Sequence, residues 1–356
     1  MTTTEADQPS PAARTAYLVL GMHRSGTSAV TQLLALAGAS LPENVMAGDE
    51  HNAKGYFEPW KIAILNDGRL RAAGAAWDDV FAFPFKPLPR QDERSWLNRA
   101  ATLFTEEYGE APFPLLKDPR VSVLGPFWRT VLDDLGVAAR CVVPVRHPLA
   151  VAGSLARRNG FPPEKSALLW SAYMLAAEAY SRDLPRAFVG YDALLSDWRG
   201  EVTRIEAAHG ASLPKLTAQA SKAIDKFLTP ALRHNSEDGD GVGLAELGWA
   251  GELTGRVLSW FEAAAAGKAP DAASLDEAAR DLTRRSQEMG VLISPLTRDL
   301  DAARAELLDL RQHLDYGRAE SRRLEAEVRR LEAEIEAMRR EAAAAAAHLD
   351  SILADG

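Results

Sequence analysis

Gly21 and Gly26, separated by four residues and followed by the hydroxyls of Thr27 and Ser28, stand at the centre of Tyr17–Leu34, YLVLGMHRSGTSAVTQLL. The stretch reads as a buried strand, a tight turn and a helix. A glycine-bounded turn entering a helix aims backbone N–H groups and the positive end of the helix dipole at an anion. A nucleotide-triphosphate loop of the same outline carries Lys directly after the second glycine. Here Thr27 takes that place, and a cation, Arg24, sits inside the turn between His23 and Ser25. A loop that cradles phosphate without the lysine for a β/γ-phosphate points to a ligand other than ATP.

Four further segments carry residues suited to the same task. In Val145–Arg157, VRHPLAVAGSLAR, Arg146 ends a strand, Pro148 fits the first turn of a helix, and Ser154 follows eight residues after Arg146. A forked cation beside a hydroxyl suits a phosphate monoester. In LLKDPR, Lys117 follows a short strand, and Asp118 is placed to hold Arg120 or a backbone turn. NAKGYFE supplies Glu58, and VGYDALL supplies Tyr191 at a strand end. Each has a plainer reading: a strand-end lysine that snorkels, a carboxylate capping a turn, a core tyrosine. A looser segment, FLTPALRHN, offers Arg233 and His234. The seven histidines are scattered, with no H-x-x-x-H or C-x-x-C pair to suggest a metal site.

The R-S-G-T-S turn resembles the 5′-phosphosulfate loop of sulfotransferases, whose donor is 3′-phosphoadenosine 5′-phosphosulfate (PAPS). The Arg146–Ser154 spacing is similar to that family's 3′-phosphate clamp. LLKDPR resembles the N-K-D-P segment of tyrosylprotein sulfotransferases and the K-D-P-R segment of bacterial glycan sulfotransferase-like proteins. NAKGYFE resembles the N-x-x-G-Y-F-E segment of the bacterial proteins, and VGYDALL the family's Y-E-D-L segment. The likeness spans roughly residues 15–235. It implies a P-loop-like α/β fold, PAPS as co-substrate, and no requirement for a metal. It implies a donor site of Gly21, His23, Arg24, Ser25, Gly26, Thr27, Ser28, Arg146, Ser154, Tyr191 and Arg233, with Tyr191 near the adenine. The reaction it implies is sulfuryl transfer to an acceptor hydroxyl, with a glycan foremost. Arg24 and Lys117 would stabilise the moving group and Glu58 would take the proton. Arg24 stands where cytosolic sulfotransferases carry Lys and tyrosylprotein sulfotransferases carry Arg. No segment matches the catalytic histidine of the cytosolic enzymes, which is why a carboxylate is assigned as base, with Glu50 and His51 as alternatives. Trp60, Trp77, Phe81, Phe83, Phe85 and Trp170 could form an aromatic platform for a sugar, and core packing explains them as well.

Two other readings compete. A P-loop kinase lacks here its lysine after Gly26 and a clear Mg²⁺-binding carboxylate after a strand. A catalytically inactive scaffold, working through its tail, is at odds with the intact set of Arg24, Lys117, Arg146 and Ser154.

The elements that must position these residues follow from apolar patterning. Strands are expected at Ala16–Leu20, Phe113–Leu116, Ala139–Val145 (weakened at its end by Pro144) and Ala187–Gly190. Helices are expected at Thr27–Gly38, Ile62–Ala73, Ser95–Tyr108, Pro126–Leu135, Pro148–Arg158 and Glu164–Ser181, with irregular chain at Asn44–Gly55 and Phe81–Arg90. Short apolar strands alternating with helices predict a parallel sheet covered on both faces, with ligands at the carboxyl ends of the strands.

At 356 residues, the chain suffices for one large domain and an appendage. We expect a disordered segment over residues 1–14, an α/β domain over 15–295 that turns mostly helical after about residue 200, and a tail over 296–356. In the tail, apolar or small residues recur in steps of three and four from Leu300 through Leu314, Leu324 and Leu331 to Ile352, flanked by Glu and Arg. This predicts a coiled coil, its partner a second copy or another protein, against a single helix held by Glu–Arg pairs. A net charge of −9 argues against non-specific nucleic-acid binding. The one cysteine, Cys141, allows no intrachain disulfide and lies in an apolar run, as a core residue would. With no signal-like N-terminus and no apolar stretch near ~20 residues, the expectation is a cytoplasmic protein without a transmembrane segment.

Overall fold

Four parallel strands in the order β2–β1–β3–β4 form the sheet. The computed structural model describes residues 14–46, 48, 55–82, 87–229 and 243–354. In chain order the elements are β1 (Thr15–Val19), α1 (Thr27–Leu36), α2 (Trp60–Ala72), α3 (Arg90–Tyr108), β2 (Leu115–Lys117), α4 (Arg120–Val123) and α5 (Gly125–Asp134). There follow β3 (Ala138–Val145), α6 (Pro148–Asn159), α7 (Pro163–Ser181), β4 (Arg186–Gly190), α8 (Tyr191–Ser196), α9 (Trp198–His209), α10 (Ala218–Phe227), α11 (Gly248–Ala265) and α12 (Ala273–Ala354). The chain divides into one unit of Met1–Arg298 and a second of Asp299–Gly356.

Both faces of the sheet are covered. Along β1, Ala16 and Leu18 point into one core while Tyr17 and Val19 point into the other, the period of two that a strand dictates. The first core is closed by α3, α5, α6, α7 and α11, the second by α1, α8, α9 and α10. Crossover helices on both faces explain why the strands read as continuous apolar runs. Cys141 is fully buried in β3 with a free thiol, and burial pushes that thiol up to about 12.

Two expected boundaries shift, and the expected end of β3 holds despite its proline. β2 ends on Lys117 rather than before it, because the lysine stem is buried with the strand. β3 continues through Pro144 to Val145. Its register with β1 stops at Val142 while that with β4 runs on, and proline is tolerated where a strand has one partner. α3 starts at Arg90, directly after Pro89, so its polar first turn is helical although no apolar residue marks it. The expected disorder of residues 1–14 falls outside the described residues, Arg14 apart.

In the second unit, α12 exposes Leu300, Leu307, Leu310, Leu314, Leu324, Val328, Leu331, Ile335 and Met338. No helix among the described residues is long and apolar enough to cross a membrane.

Candidate active site

The turn between β1 and α1 is built by backbone conformation. Gly21 (φ 123°), Arg24 (φ 68°) and Gly26 (φ 91°) are all left-handed. For Arg24 this is uncommon and costs energy that a functional site can repay. A Cβ at Gly26 would run into the Tyr191 ring, so only glycine lets that ring lie against the turn. The Gly21 N–H donates to Ser122 Oγ at 2.8 Å, which pins the turn to α4. No side chain caps α1, while the Ala29 and Val30 N–H groups donate to the Gly26 carbonyl; an N-terminus without a side-chain cap is the kind that can hold an anion. Ser25 Oγ and His23 Nε2 are buried with no hydrogen-bond partner among the described residues. Buried polar atoms are normally satisfied, and orphans in this turn fit an anionic ligand that would satisfy them.

The expected donor residues converge from β3, α6 and α8. Arg24 Nε donates to Ser154 Oγ at 2.7 Å. Arg146 Nη1 donates to the Arg24 carbonyl at 3.0 Å. The Arg146 guanidinium lies 4.6 Å above the Tyr191 ring, a cation–π arrangement. The start of α6 sets this spacing: Pro148 occupies its first turn and His147 Nδ1 accepts from the Leu149 N–H, which places Ser154 two turns in, on the face toward the turn.

Lys117 and Glu58 form a second cluster. Lys117 Nζ donates to Glu58 Oε1 at 2.7 Å, to the Tyr56 carbonyl at 2.7 Å and to Ser28 Oγ at 3.4 Å. Both charged side chains are buried, 2% and 5% exposed. The expected cation and the expected base are therefore each other's ion-pair partners at the N-terminus of α1. Beside them Asp118 accepts from Asn66 Nδ2 at 2.7 Å and from Arg120 Nη1 at 2.9 Å, while Arg120 also binds both oxygens of Asp67. Asp118 thus holds Arg120.

His23 lies between the two clusters. Its ring meets Trp77 edge-on at 4.9 Å. Burial first, and then the cations of Arg158, Arg120, Lys117 and Arg24, hold it well below the usual imidazole value. Burial and the neighbouring Arg24 also hold Arg158 and Arg146 below the usual arginine range. Arg120 is the exception: burial opposes its charge, but Asp118 and Asp67 outweigh that and hold it above the usual range.

Of the expected aromatic residues, Trp77 borders this site, under His23 and 5.5 Å from the Arg158 guanidinium. Trp170 is instead a core residue packed edge-on to Phe261, with no exposure. Phe83, Phe85, Glu50, His51, Arg233 and His234 lie outside the described residues. Three site residues went unread in the sequence. Arg158 stands one helical turn after Ser154, a spacing that puts both on one face of α6. Ser122 braces Gly21, and Asn66 braces Asp118; nothing local marks either.

No known family profile matches the chain, and no curated protein does. Among solved structures, the chain resembles the sulfotransferase domain from the Synechococcus PCC 7002 olefin synthase, at 16% identity and a TM-score of 0.36, over 78% of this chain and 98% of that one. It also resembles the sulfotransferase domain from the curacin biosynthetic pathway, at 14% identity and a TM-score of 0.40, over 70% of this chain and 98% of that one. Likeness at this level is one of outline and bears on no individual side chain.

Proposed function

We propose that this chain is a sulfotransferase that uses PAPS as donor and an acceptor hydroxyl, a carbohydrate hydroxyl foremost, as its target. The observation that carries this reading is the junction of Arg24, Ser154, Arg146 and Tyr191 at the β1–α1 turn, where Ser25 Oγ is buried with no partner among the described residues. A donor with two separated phosphate groups needs two anion sites, and in this reading Arg146 with Ser154 supplies one and the backbone of the β1–α1 turn the other.

In this reading Arg146 and Ser154 hold the 3′-phosphate, and Tyr191 supports Arg146 on the adenine side. The backbone of the turn, with Gly26, Thr27 and Ser28, holds the 5′-phosphate. PAPS supplies an activated sulfuryl group when bound. The bond from acceptor oxygen to sulfur forms as the bond from sulfur to the 5′-phosphate oxygen breaks, and the electron pair leaves with that phosphate. Arg24 and Lys117 meet the charge that develops there. Glu58 takes the acceptor proton. Its pairing with Lys117 gives the step an order: a sulfuryl group that draws Lys117 away leaves the carboxylate free to accept. Trp77, half-buried beside His23 and Arg158, is the aromatic residue of this site suited to stack on a sugar.

The tail reads as a homotypic coiled coil, supported by the exposed apolar stripe of α12. Mass spectrometry of material from cells with and without this protein tests the activity. A hydroxylated molecule carrying the added SO₃ mass only where the protein is present is the expected result. Unchanged material, together with a purified protein that does not bind 3′,5′-ADP, overturns the reading.

A further inference from the structure

A cavity of about 580 Å³ lies between the segment Ser122–Phe127, the stretch of α7 from Ala172 to Tyr180, and the early turns of α12 at Ala279–Thr283. This volume falls within the range of small-molecule sites. Its walls are mainly apolar, with Leu124, Phe127, Leu175 and Leu282 among them, and Arg69 of α2 and Glu93 of α3 reach it from one side.

Arg69 is the anomaly. It is 3% exposed, and its guanidinium lies 5.8 Å from the Phe127 ring centre. Nη2 donates to Glu93 Oε2 at 2.6 Å. Nε and Nη1 are buried with no partner among the described residues. The hydroxyl of Tyr180, which also lines the cavity, is likewise buried without a partner. Burial pushes that phenol well above its usual value, so it stays a donor. Among the described residues the cavity therefore holds unmet donors against hydrocarbon walls, an arrangement that costs free energy until an acceptor arrives.

The charge is already balanced. Glu93 neutralises Arg69, so an anionic ligand would bring an uncompensated charge into apolar surroundings. A neutral carbonyl has the two lone pairs that the free N–H groups can meet. We infer that this cavity is a binding site for an uncharged, mainly hydrocarbon molecule that carries a carbonyl acceptor, such as a medium-chain ester, seated with its carbonyl on Arg69. The cavity shares Ser122, the brace of Gly21, with the candidate active site but none of the residues assigned to sulfuryl transfer, so it stands whether or not that assignment does.

Calorimetric titration of the full-length protein with methyl octanoate and with sodium octanoate tests this. Saturable binding of the ester is expected, with the carboxylate at least about tenfold weaker, since a buried unpaired charge costs more than that. Arg69→Met should weaken the ester at least about tenfold, the worth of a charge-assisted hydrogen bond. Ala176→Trp, which only fills space in the cavity wall, should abolish ester binding while the circular dichroism spectrum stays unchanged. If Arg69→Met does not fold, Ala176→Trp still decides. No saturable ester binding, or ester binding undiminished in Ala176→Trp, means a cavity that takes only water and overturns the inference. Equal or tighter binding of octanoate overturns the uncharged class, and undiminished binding in a folded Arg69→Met overturns the carbonyl seat.

Discussion

Glu58→Gln separates charge from shape at the candidate site. The variant keeps an acceptor oxygen toward Lys117 but removes the carboxylate's charge. At the 2.7 Å separation of the pair, the attraction lost is about 6 kcal/mol gross at an effective dielectric of about 20. Part returns because the retained amide still accepts a hydrogen bond and no carboxylate need be desolvated. What remains is a buried ammonium without a counter-charge, a change that costs about 3–5 kcal/mol. This should lower the melting temperature by on the order of 10 °C. Lys117→Met should cost a similar amount. The double variant should cost less than the sum, with a coupling of about 2–3 kcal/mol, because a neutral replacement of a whole buried pair is tolerated. Chemical denaturation of the wild type, both single variants and the double variant completes the cycle. Turnover of Glu58→Gln, measured well below its melting temperature, should be lower by about 10²-fold or more, with 3′,5′-ADP affinity retained. Strictly additive single variants would refute the buried pair. Undiminished turnover of folded Glu58→Gln would refute Glu58 as base and leave Glu50 or His51 to be tested by the same route.

Arg146→Ala should weaken 3′,5′-ADP by about 1.5–3 kcal/mol, the range of a charge-assisted contact, and 5′-AMP by much less. Ser154→Ala should do the same by about 0.5–1.5 kcal/mol, and equal losses for both nucleotides in calorimetry would remove the 3′-phosphate assignment. His23 and His209 are both held below the usual 6.5, each first by burial. The unfolded chain therefore takes up more protons than the folded one as pH falls beneath 6.5. Stability is full above that value and is lost below it at up to about 1.4 kcal/mol per pH unit per histidine. Urea titrations between pH 5.5 and 6.5 should show this slope, and His209→Gln should flatten it by roughly half; an unchanged slope in that variant would contradict the assignment. Light scattering of the full chain and of a truncation after Arg298, the end of the first unit, should give an oligomer and a monomer respectively. Two monomers would leave a heterologous partner for the tail.

The strands and the glycine turn between β1 and α1 were legible because both are local. β1 and β3 are continuous apolar runs, and Gly21, Gly26 and the hydroxyls beside them mark the turn within a few residues. That Arg146 and Ser154 lie near one another was legible too, since a strand end and the helix after it have a fixed geometry; both bond Arg24. The strand order was not, because pairing across a sheet leaves no mark in any one strand. Nor were the partners that side chains choose across long separations. Lys117 meets Glu58 from 59 residues away, and Arg24 reaches Ser154 from 130 residues away. Arg69 carries no local mark of its surroundings, because residues of α3, α5 and α7 meet beside it only in the fold. Trp170 belonged to the core because the residues of α7 facing the sheet are buried along most of its length, which its weak amphipathic pattern did not reveal.

Calorimetric titration of the purified full chain with 3′,5′-ADP, 5′-AMP and ATP with Mg²⁺ tests the central claim most directly. Two anion sites separated as Arg146–Ser154 and the β1–α1 turn are should bind 3′,5′-ADP at least about tenfold more tightly than 5′-AMP, the worth of one charge-assisted contact, and more tightly than ATP with Mg²⁺. Equal affinity for 3′,5′-ADP and 5′-AMP, or a preference for ATP with Mg²⁺, would contradict it.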